Sequence, residues 1–123
     1  MSAVRGKHTL PELAVRKALR QLGCKYRLHR RKLPGIPDIV LPERKTTVFV
    51  HGCFWHQHKN CRRCSMPKTN RRYWVRKLER NVEHFAEVRK ELRQMGWKVV
   101  VIWECQTKKS EPLLRVLGTK IGV

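Results

Sequence analysis

The residues best suited to chemistry lie in the stretch 48–64, which reads VFVHGCFWHQHKNCRRC. The stretch begins with three apolar residues, Val48 to Val50, which are too few for a helix and are typical of a buried strand. Soft metal ligands, titratable imidazoles and large aromatic rings follow directly: His51, Cys53, Phe54, Trp55, His56, His58, Cys61 and Cys64. Because the end of a strand is a rigid platform, we expect this loop to hold a structural metal, part of a hydrolytic site and an aromatic stacking surface.

A zinc site is predicted by the spacing of the thiols and imidazoles. Cys53 and His58 have four residues between them, and His58 and Cys61 have two. Zinc prefers thiolate and imidazole ligands, four in a tetrahedron, so one place remains to be filled. Cys105, at the end of a later predicted strand, is the candidate for that place, and Cys64 competes for one of the positions. Four protein ligands leave no place for water, so the predicted zinc is structural.

The number of cysteines also favours a metal. The chain has five cysteines, an odd number, and most of them cluster with histidines. In a reducing compartment such a cluster indicates a metal rather than disulfides. Free thiols and surface histidines are the alternative interpretation. Cys24 is far from the loop in sequence and is interpreted as a core or surface thiol.

A hydrolytic site is predicted from the scarce acidic residues and the histidines. Asp38 begins a predicted strand in a chain with nine acidic residues in all, and is a candidate Mg²⁺ ligand. His51 and His56 can act as general base or acid near neutral pH. Glu12 could support the site. The alternatives are a turn aspartate for Asp38, a helix-capping carboxylate for Glu12 and a zinc ligand for His56.

The overall composition indicates one domain that binds a polyanion. A chain of 123 residues can bury a single, modest core. Its 29 basic and nine acidic residues give a net charge of +20, which favours nucleic acid as partner. A ribosomal-type protein or a surface-charged enzyme is the alternative. The sequence contains no apolar run that predicts a membrane span and no secretory signal, so we expect a cytoplasmic protein.

The pattern of apolar residues predicts an α/β layered domain around a small mixed sheet. Thr9 and Glu12 have the spacing of a helix-capping box, and residues 1–8 are expected to form a flexible basic arm. Helices are predicted over 10–22, 71–95 and 110–117, and strands over 25–29, 38–41, 46–50 and 97–103. The second and third strands should form a hairpin. The long second helix has apolar residues at helical spacing: Trp74, Leu78, Val82, Phe85, Val88, Leu92 and Met95.

These motifs together resemble the very short patch repair (Vsr) endonucleases. The resemblance is carried by HGCFWHQH, preceded by LPGIPDIVLP and followed by PKTN, YW and GWKVVVIWEC, and by an opening VRGKHTLPELAVRKAL that is similar to the family's first helix. It covers about Arg5 to Cys105. It implies a restriction-endonuclease-like three-layer fold with a structural zinc and a Mg²⁺-dependent active site. It also implies nicking of duplex DNA on the 5′ side of the thymine in a T·G mismatch, which arises when 5-methylcytosine deaminates.

Carried over residue by residue, the resemblance implies a set of site residues. Asp38 would bind Mg²⁺ together with the backbone carbonyl of Val50. His51 and His56 would be the catalytic histidines, and Glu12 would support one of them. The zinc ligands would be Cys53, His58, Cys61 and Cys105. The implied partner is double-stranded DNA with a T·G mismatch, other mismatch-repair proteins are further candidate partners, and the chain is expected to be a monomer without membrane attachment.

The resemblance also implies a DNA interface. Phe54, Trp55 and Trp74 would wedge into the duplex beside the mismatch, and Lys77 and Asn81 would read the mismatched pair. From the residues alone, core packing is the alternative for the aromatic side chains, above all for Trp74, which falls on the apolar stripe of its helix. Solvated helix positions are the alternative for Lys77 and Asn81.

Two other functions compete with mismatch-directed nicking. The first is a related nuclease that cuts a different DNA structure or a defined sequence. The second is a non-catalytic zinc-containing DNA-binding module. Asp38 and His56 argue against the second, since a binding module has no use for either side chain.

Overall fold

The computed structural model describes residues 9–59, 61 and 66–123. The expected basic arm, residues 1–8, lies outside the described residues. Within them, three helices and four strands follow in this order: α1 (Leu10–Gln21), β1 (Arg27–Leu28), β2 (Ile39–Leu41), β3 (Thr46–His51), α2 (Arg71–Gln94), β4 (Lys98–Trp103) and α3 (Ser110–Ile121). The first strand is shorter than the predicted 25–29, and α3 extends beyond the predicted 117 because Leu117 and Ile121 are both buried.

The four strands form one mixed sheet in the order β1-β2-β3-β4. The first three are antiparallel neighbours, and β2 and β3 form the predicted hairpin. β3 and β4 are parallel, with Val48 opposite Val100 and His51 opposite Trp103. Parallel strands need a long crossover connection, which α2 provides. The mixed sheet expected from the sequence is therefore confirmed.

Helices cover both faces of the sheet. Because side chains alternate across a strand, neighbouring residues of one strand enter different cores. The face toward α1 and α3 is built from Ile39, Leu41, Val48, Val100 and Ile102, which pack with Leu19 and Leu117. The opposite face is built from Val40 and Phe49, which pack with Val88 and Leu92 of α2. The chain thus has the three-layer α/β architecture expected from the sequence.

The first helix begins as predicted. The Thr9 hydroxyl accepts a hydrogen bond of 3.3 Å from the Glu12 amide, and Pro11 occupies the first turn, where its missing N–H costs nothing. Val15 and Leu19 are fully buried against the sheet. The Glu12 side chain is also buried, at 2% exposure, so this carboxylate faces the interior of the domain.

Only part of the apolar stripe of α2 is buried. Leu78, Val88 and Leu92 are buried, whereas Val82 and Met95, which share the apolar spacing, are 44% and 49% exposed. At 3.6 residues per turn each residue advances about 100° around the helix, which places Val82 and Met95 on opposite edges of the stripe.

A tight turn leads into β2 and places Asp38. The Ile36 amide donates a hydrogen bond of 3.1 Å to the Leu33 carbonyl, with Pro34 and Gly35 between them and φ at +73° for Gly35. These are the features of a type II turn. Ile36 itself has φ at +45° and precedes Pro37, a conformation that is costly for a β-branched residue. The turn therefore stores backbone strain next to Asp38.

Substitutions at the two neighbouring turn positions should change stability in opposite directions. Gly35→Ala should lower the free energy of unfolding by about 2–4 kcal/mol, because φ is positive and a Cβ would lie 2.5 Å from a Val88 methyl carbon. Ile36→Asn should raise it by about 1 kcal/mol, because asparagine tolerates the left-handed conformation and Ile36 is half exposed. Urea unfolding of both variants measures the two effects. A loss of stability in Ile36→Asn would contradict the assignment of strain.

Candidate active site and metal centre

The candidate active site is a cavity of about 650 Å³ at one end of the sheet. Residues from α1, the turn before β2, the end of β3, the following loop and α2 line it. The cavity brings together eight of the predicted site residues: Glu12, Asp38, Val50, His51, Trp55, His56, Lys77 and Asn81. Residues far apart in the chain therefore meet in one cleft.

Asp38 is held by the backbone of the neighbouring strand. Its Oδ2 accepts a hydrogen bond of 2.7 Å from the Val50 amide. Because the N–H and C=O of one residue in an extended strand point to the same side, the Val50 carbonyl faces the Asp38 side as well. Burial raises the pKa of the Asp38 carboxyl to about 7, and the Glu12 charge adds to this, while the Val50 hydrogen bond and Arg16 oppose it.

Glu12 approaches Asp38 from the other wall of the cleft. It forms an ion pair with Arg16, one turn further along α1. The His29 Nε2 lies 3.2 Å from a Glu12 carboxylate oxygen. Donor atoms of Glu12, His29 and Asp38 all lie within 4.8 Å of one another, which is close enough to share a metal ion.

Sequence reasoning missed His29 and Arg16. A signal for His29 was present in the sequence, because one predicted strand ended at His29 and the next began at Asp38, but their pairing was not predicted. Antiparallel pairing places those two ends side by side, and the His29 amide donates a hydrogen bond of 3.1 Å to the Asp38 carbonyl. Arg16 lies four residues after Glu12 on a helix, where ion pairs are common.

The two candidate catalytic histidines form a stacked pair. His51 is the last residue of β3, and its ring lies 3.6 Å from the His56 ring with an angle of 6° between their planes. Phe85 of α2 covers the His51 ring at 4.4 Å, edge to face. Burial lowers the pKa of His51 to about 2, with the charges of His56 and Arg89 adding to it, and burial lowers the pKa of His56 to about 4. Both imidazoles are therefore neutral at pH 7, and each has one ring nitrogen with a free lone pair.

The loop after β3 directs alternate side chains to two different sites. The His56 amide donates to the Gly52 carbonyl and the His58 amide donates to the Cys53 carbonyl, which closes a compact turn. Gln57, between the two histidines, has φ at +51°, a conformation unusual for a side-chain-bearing residue. As a result His56 lines the cleft while His58 lies among the cysteines.

The predicted thiol and imidazole ligands form the second cluster. One donor atom from each of four residues lies within 4.8 Å of the others: Cys53, His58, Cys61 and Cys105. The His58 Nδ1 is 3.5 Å from the Cys105 sulfur, and the His58 ring stacks on Trp103 at 4.1 Å. Burial raises the pKa of the Cys53 thiol to about 12. Three sulfurs and one nitrogen at this spacing could hold a tetrahedral transition metal, whose charge would replace the thiol protons. The competing ligand Cys64 lies outside the described residues.

The three predicted wedge residues form one aromatic cluster near the cleft. The ring centres of Phe54 and Trp55 are 5.3 Å apart, and Trp74 lies 5.7 Å from Phe54 and 5.8 Å from Trp55. All three side chains are partly exposed, and none belongs to either hydrophobic core. Asn81 donates a hydrogen bond of 3.3 Å to the Trp55 carbonyl and so connects α2 to this cluster.

None of the helices in the described part of the chain combines the length and apolar character that crossing a membrane requires.

The buried Asp38 carboxyl should make stability depend on pH. Its pKa in the folded state lies above its ordinary value of 3.8, so its stabilising contribution is complete below pH 3.8 and is lost as the pH rises through about 7. Asp38→Asn keeps an acceptor for the Val50 amide and has no charge to bury. In magnesium-free buffer the stability of this variant relative to wild type should therefore increase by about 1–3 kcal/mol between pH 5 and pH 8.

Urea unfolding at the two pH values measures this difference. Glu43→Gln is the matched control, since Glu43 is an exposed carboxylate in the β2–β3 connection. Equal pH profiles for Asp38→Asn and wild type would show that the carboxyl is not destabilised by its burial.

Comparisons with known proteins point to one family. The profile of the family described as DNA mismatch endonuclease Vsr matches residues 1–63. The type II nicking enzyme V.XorIIP of Xanthomonas oryzae is 47% identical over 106 residues, which are 86% of this chain and 77% of that protein. The type II nicking enzyme V.NmeAIP of Neisseria meningitidis is 43% identical over 108 residues, 88% of this chain and 76% of that protein.

A third relative carries the family name itself. The DNA mismatch endonuclease Vsr of Escherichia coli is 34% identical over 113 residues, which are 92% of this chain and 72% of that protein. The resemblance seen in the sequence motifs is thus confirmed across most of the chain. The chain belongs to the Vsr family of DNA mismatch endonucleases.

Proposed function

We propose that the chain nicks duplex DNA on the 5′ side of the thymine in a T·G mismatch by Mg²⁺-dependent hydrolysis, the first step of very short patch repair. One observation carries the proposal: a partly buried carboxylate and a pair of neutral imidazoles line the same cleft, and three clustered aromatic rings lie at its edge. The carboxylate and the imidazoles suit phosphodiester hydrolysis, and the aromatic rings suit contact with a distorted base pair.

Asp38 and the Val50 carbonyl are the proposed ligands of the catalytic ion. Both supply hard oxygen donors, which Mg²⁺ prefers, and the Val50 amide holds the carboxylate in place. When bound, Mg²⁺ supplies positive charge that offsets the charge developing on the phosphate. The burial of Asp38 excludes water from one side of the site and favours occupation by a cation.

The histidine pair provides the proton acceptor. Because both rings are neutral at pH 7, His51 or His56 has a nitrogen lone pair that can accept the proton of the attacking water. Because the rings stack at 3.6 Å, repulsion between like charges allows the pair to carry one positive charge at most. Glu12 supports the site by fixing His29 and Arg16 beside Asp38.

The aromatic cluster provides the proposed recognition of the mismatch. Wedging Phe54, Trp55 and Trp74 between base steps costs a few kcal/mol of stacking, and this cost is smaller where the pairing is already weakened. Lys77 and Asn81 line the cleft beside Trp55 and can donate hydrogen bonds to base edges. The net charge of +20 supplies attraction to the phosphate backbone.

The thiol and imidazole cluster is proposed to hold structural zinc. Its ligands join the loop after β3 to the turn after β4, so the metal links the ends of the two parallel strands. The cross-link fixes the loop that carries both the histidine pair and two of the aromatic rings.

A second candidate function is a nuclease of the same family with another specificity. The observation in its favour is that the relatives from Xanthomonas and Neisseria are named type II nicking enzymes. A non-catalytic DNA-binding module is less well supported, since it would not need a buried Asp38 beside a histidine pair.

A nicking assay on matched duplexes tests the proposed activity. Wild type with Mg²⁺ should cut the thymine strand of a T·G duplex and leave the corresponding T·A duplex intact. Asp38→Ala should abolish nicking without weakening DNA binding, and His56→Ala should slow it by about 10²–10⁴-fold. The exposed Glu111→Gln on α3 is the matched control and should cut at the wild-type rate.

Equal cutting of both duplexes would favour the second candidate function. Undiminished cutting by Asp38→Ala would remove that residue from the site.

Substitution of a proposed zinc ligand should lower both the zinc content and the stability of the domain. Cys105→Ser should lose about one equivalent of zinc and at least about 3 kcal/mol of unfolding free energy, because structural zinc contributes directly to folding. Cys24→Ala is the control, since Cys24 packs in the core beneath α1 and α3 and should retain full zinc. Elemental analysis and urea unfolding measure the two quantities. Full zinc content in Cys105→Ser would exclude Cys105 as a ligand.

A further inference from the structure

We propose that His29 is a protein ligand of the catalytic cation, together with Glu12 and Asp38, and that the centre consequently binds Mn²⁺ more tightly than Mg²⁺. The inference deepens the proposed function, on which it rests for the catalytic role of the ion. It adds an imidazole to a site otherwise described by oxygen donors.

The spacing of the donor atoms fits a shared ion. The His29 Nε2 lies 3.2 Å from the Glu12 Oε2, and the donor atoms of Glu12, His29 and Asp38 fall within 4.8 Å of one another. Two ligands of an octahedral ion with bonds of about 2.1 Å lie roughly 3.0 Å apart in adjacent positions and 4.2 Å apart in opposite ones. The three donors therefore need only small movements to close around one cation.

The backbone aims the His29 ring at this point. His29 has φ at +45°, a conformation that is uncommon for side-chain-bearing residues and that histidine adopts more readily than most. The preceding residue, Leu28, pairs with Ile39, and the His29 amide donates to the Asp38 carbonyl at 3.1 Å. The ring is 16% exposed and lies between the end of β1 and the buried face of α1. Strain at a position beside the candidate active site is typical of a functional residue.

An ion-pair network is the competing explanation. In it, His29 and Arg16 would only hold the Glu12 carboxylate and fasten α1 to the sheet. Arg16 and His29 contact the same Glu12 oxygen, so the second Glu12 oxygen is left for a cation. Asp38 places another carboxylate oxygen within 4.8 Å of the Glu12 and His29 donor atoms. The two explanations differ in one respect: only the ligand explanation places the imidazole nitrogen on an added ion.

The imidazole determines the expected metal preference. Mg²⁺ favours all-oxygen surroundings and gives up its waters reluctantly, whereas transition ions accept nitrogen donors more readily. A ligand set of two carboxylates and one imidazole should therefore bind Mn²⁺ at least about tenfold more tightly than Mg²⁺.

Pulsed electron paramagnetic resonance of bound Mn²⁺ tests the proposal directly. Mn²⁺ is added to the zinc-replete full chain without DNA, and electron spin echo modulation reports any ¹⁴N nucleus bonded to the ion. Wild type should show imidazole ¹⁴N modulation. Competition between the two ions should show that the site binds Mn²⁺ about tenfold more tightly than Mg²⁺. His29→Gln should lose the modulation and at least about tenfold in Mn²⁺ affinity.

Matched variants identify the nitrogen. His51→Gln, His56→Gln and His84→Gln remove the three histidines that line the cleft, and each should keep the modulation. Absence of ¹⁴N modulation in wild type, or its persistence in folded His29→Gln, would overturn the proposal. The wild-type spectrum decides the matter even if His29→Gln does not fold. The spectrum requires neither DNA nor turnover, so a failure of mismatch nicking would not affect this result. Conversely, nicking by a protein without ¹⁴N modulation would refute the assignment of His29 as a ligand and leave the proposed nicking activity intact.

Discussion

The candidate site depends on the hydrogen bond between the Val50 amide and the Asp38 carboxylate. This bond crosses from β3 to the start of β2 at 2.7 Å and holds a largely buried acidic side chain in place. It forms only because the two strands pair in the register that sets Ile39 opposite Val48. A shift of one residue would turn every side chain of the strand to the opposite face and would separate the carboxylate from the histidines that follow Val50.

The end of β3 serves two centres at once. His51 enters the cleft as the last residue of the strand, and Cys53, two residues later, belongs to the thiol cluster. A domain of this size buries a modest core, and a metal held by the thiol cluster would add a cross-link between the ends of β3 and β4. The positions of the histidine pair and of the aromatic rings both depend on that loop.

Much of the fold could be predicted because the decisive signals are local. The apolar runs before His51 and Glu104 predicted β3 and β4, and the Thr9 cap predicted the start of α1. The thiol and imidazole cluster could be predicted from ligand chemistry alone. His29 was missed because its place depends on how the predicted strand 25–29 pairs with the strand that begins at Asp38, and a pairing of only two residues is too short for its register to be read from the sequence. The exposure of Val82 was also missed, since the sequence shows an apolar spacing but not how wide the stripe is that the sheet covers.

The length of α2 explains why this helix forms one wall of the cleft. Its 24 residues extend about 36 Å, whereas the six residues of β3 or β4 extend about 20 Å. The C-terminal half of the helix packs on the sheet through Val88 and Leu92. The N-terminal half must then continue beyond the strand ends, where it carries Trp74, Lys77 and Asn81 past the histidine pair. The part of α2 that extends beyond the sheet therefore forms one wall of the cleft, and Lys77 and Asn81 on this wall line the same cavity as Asp38.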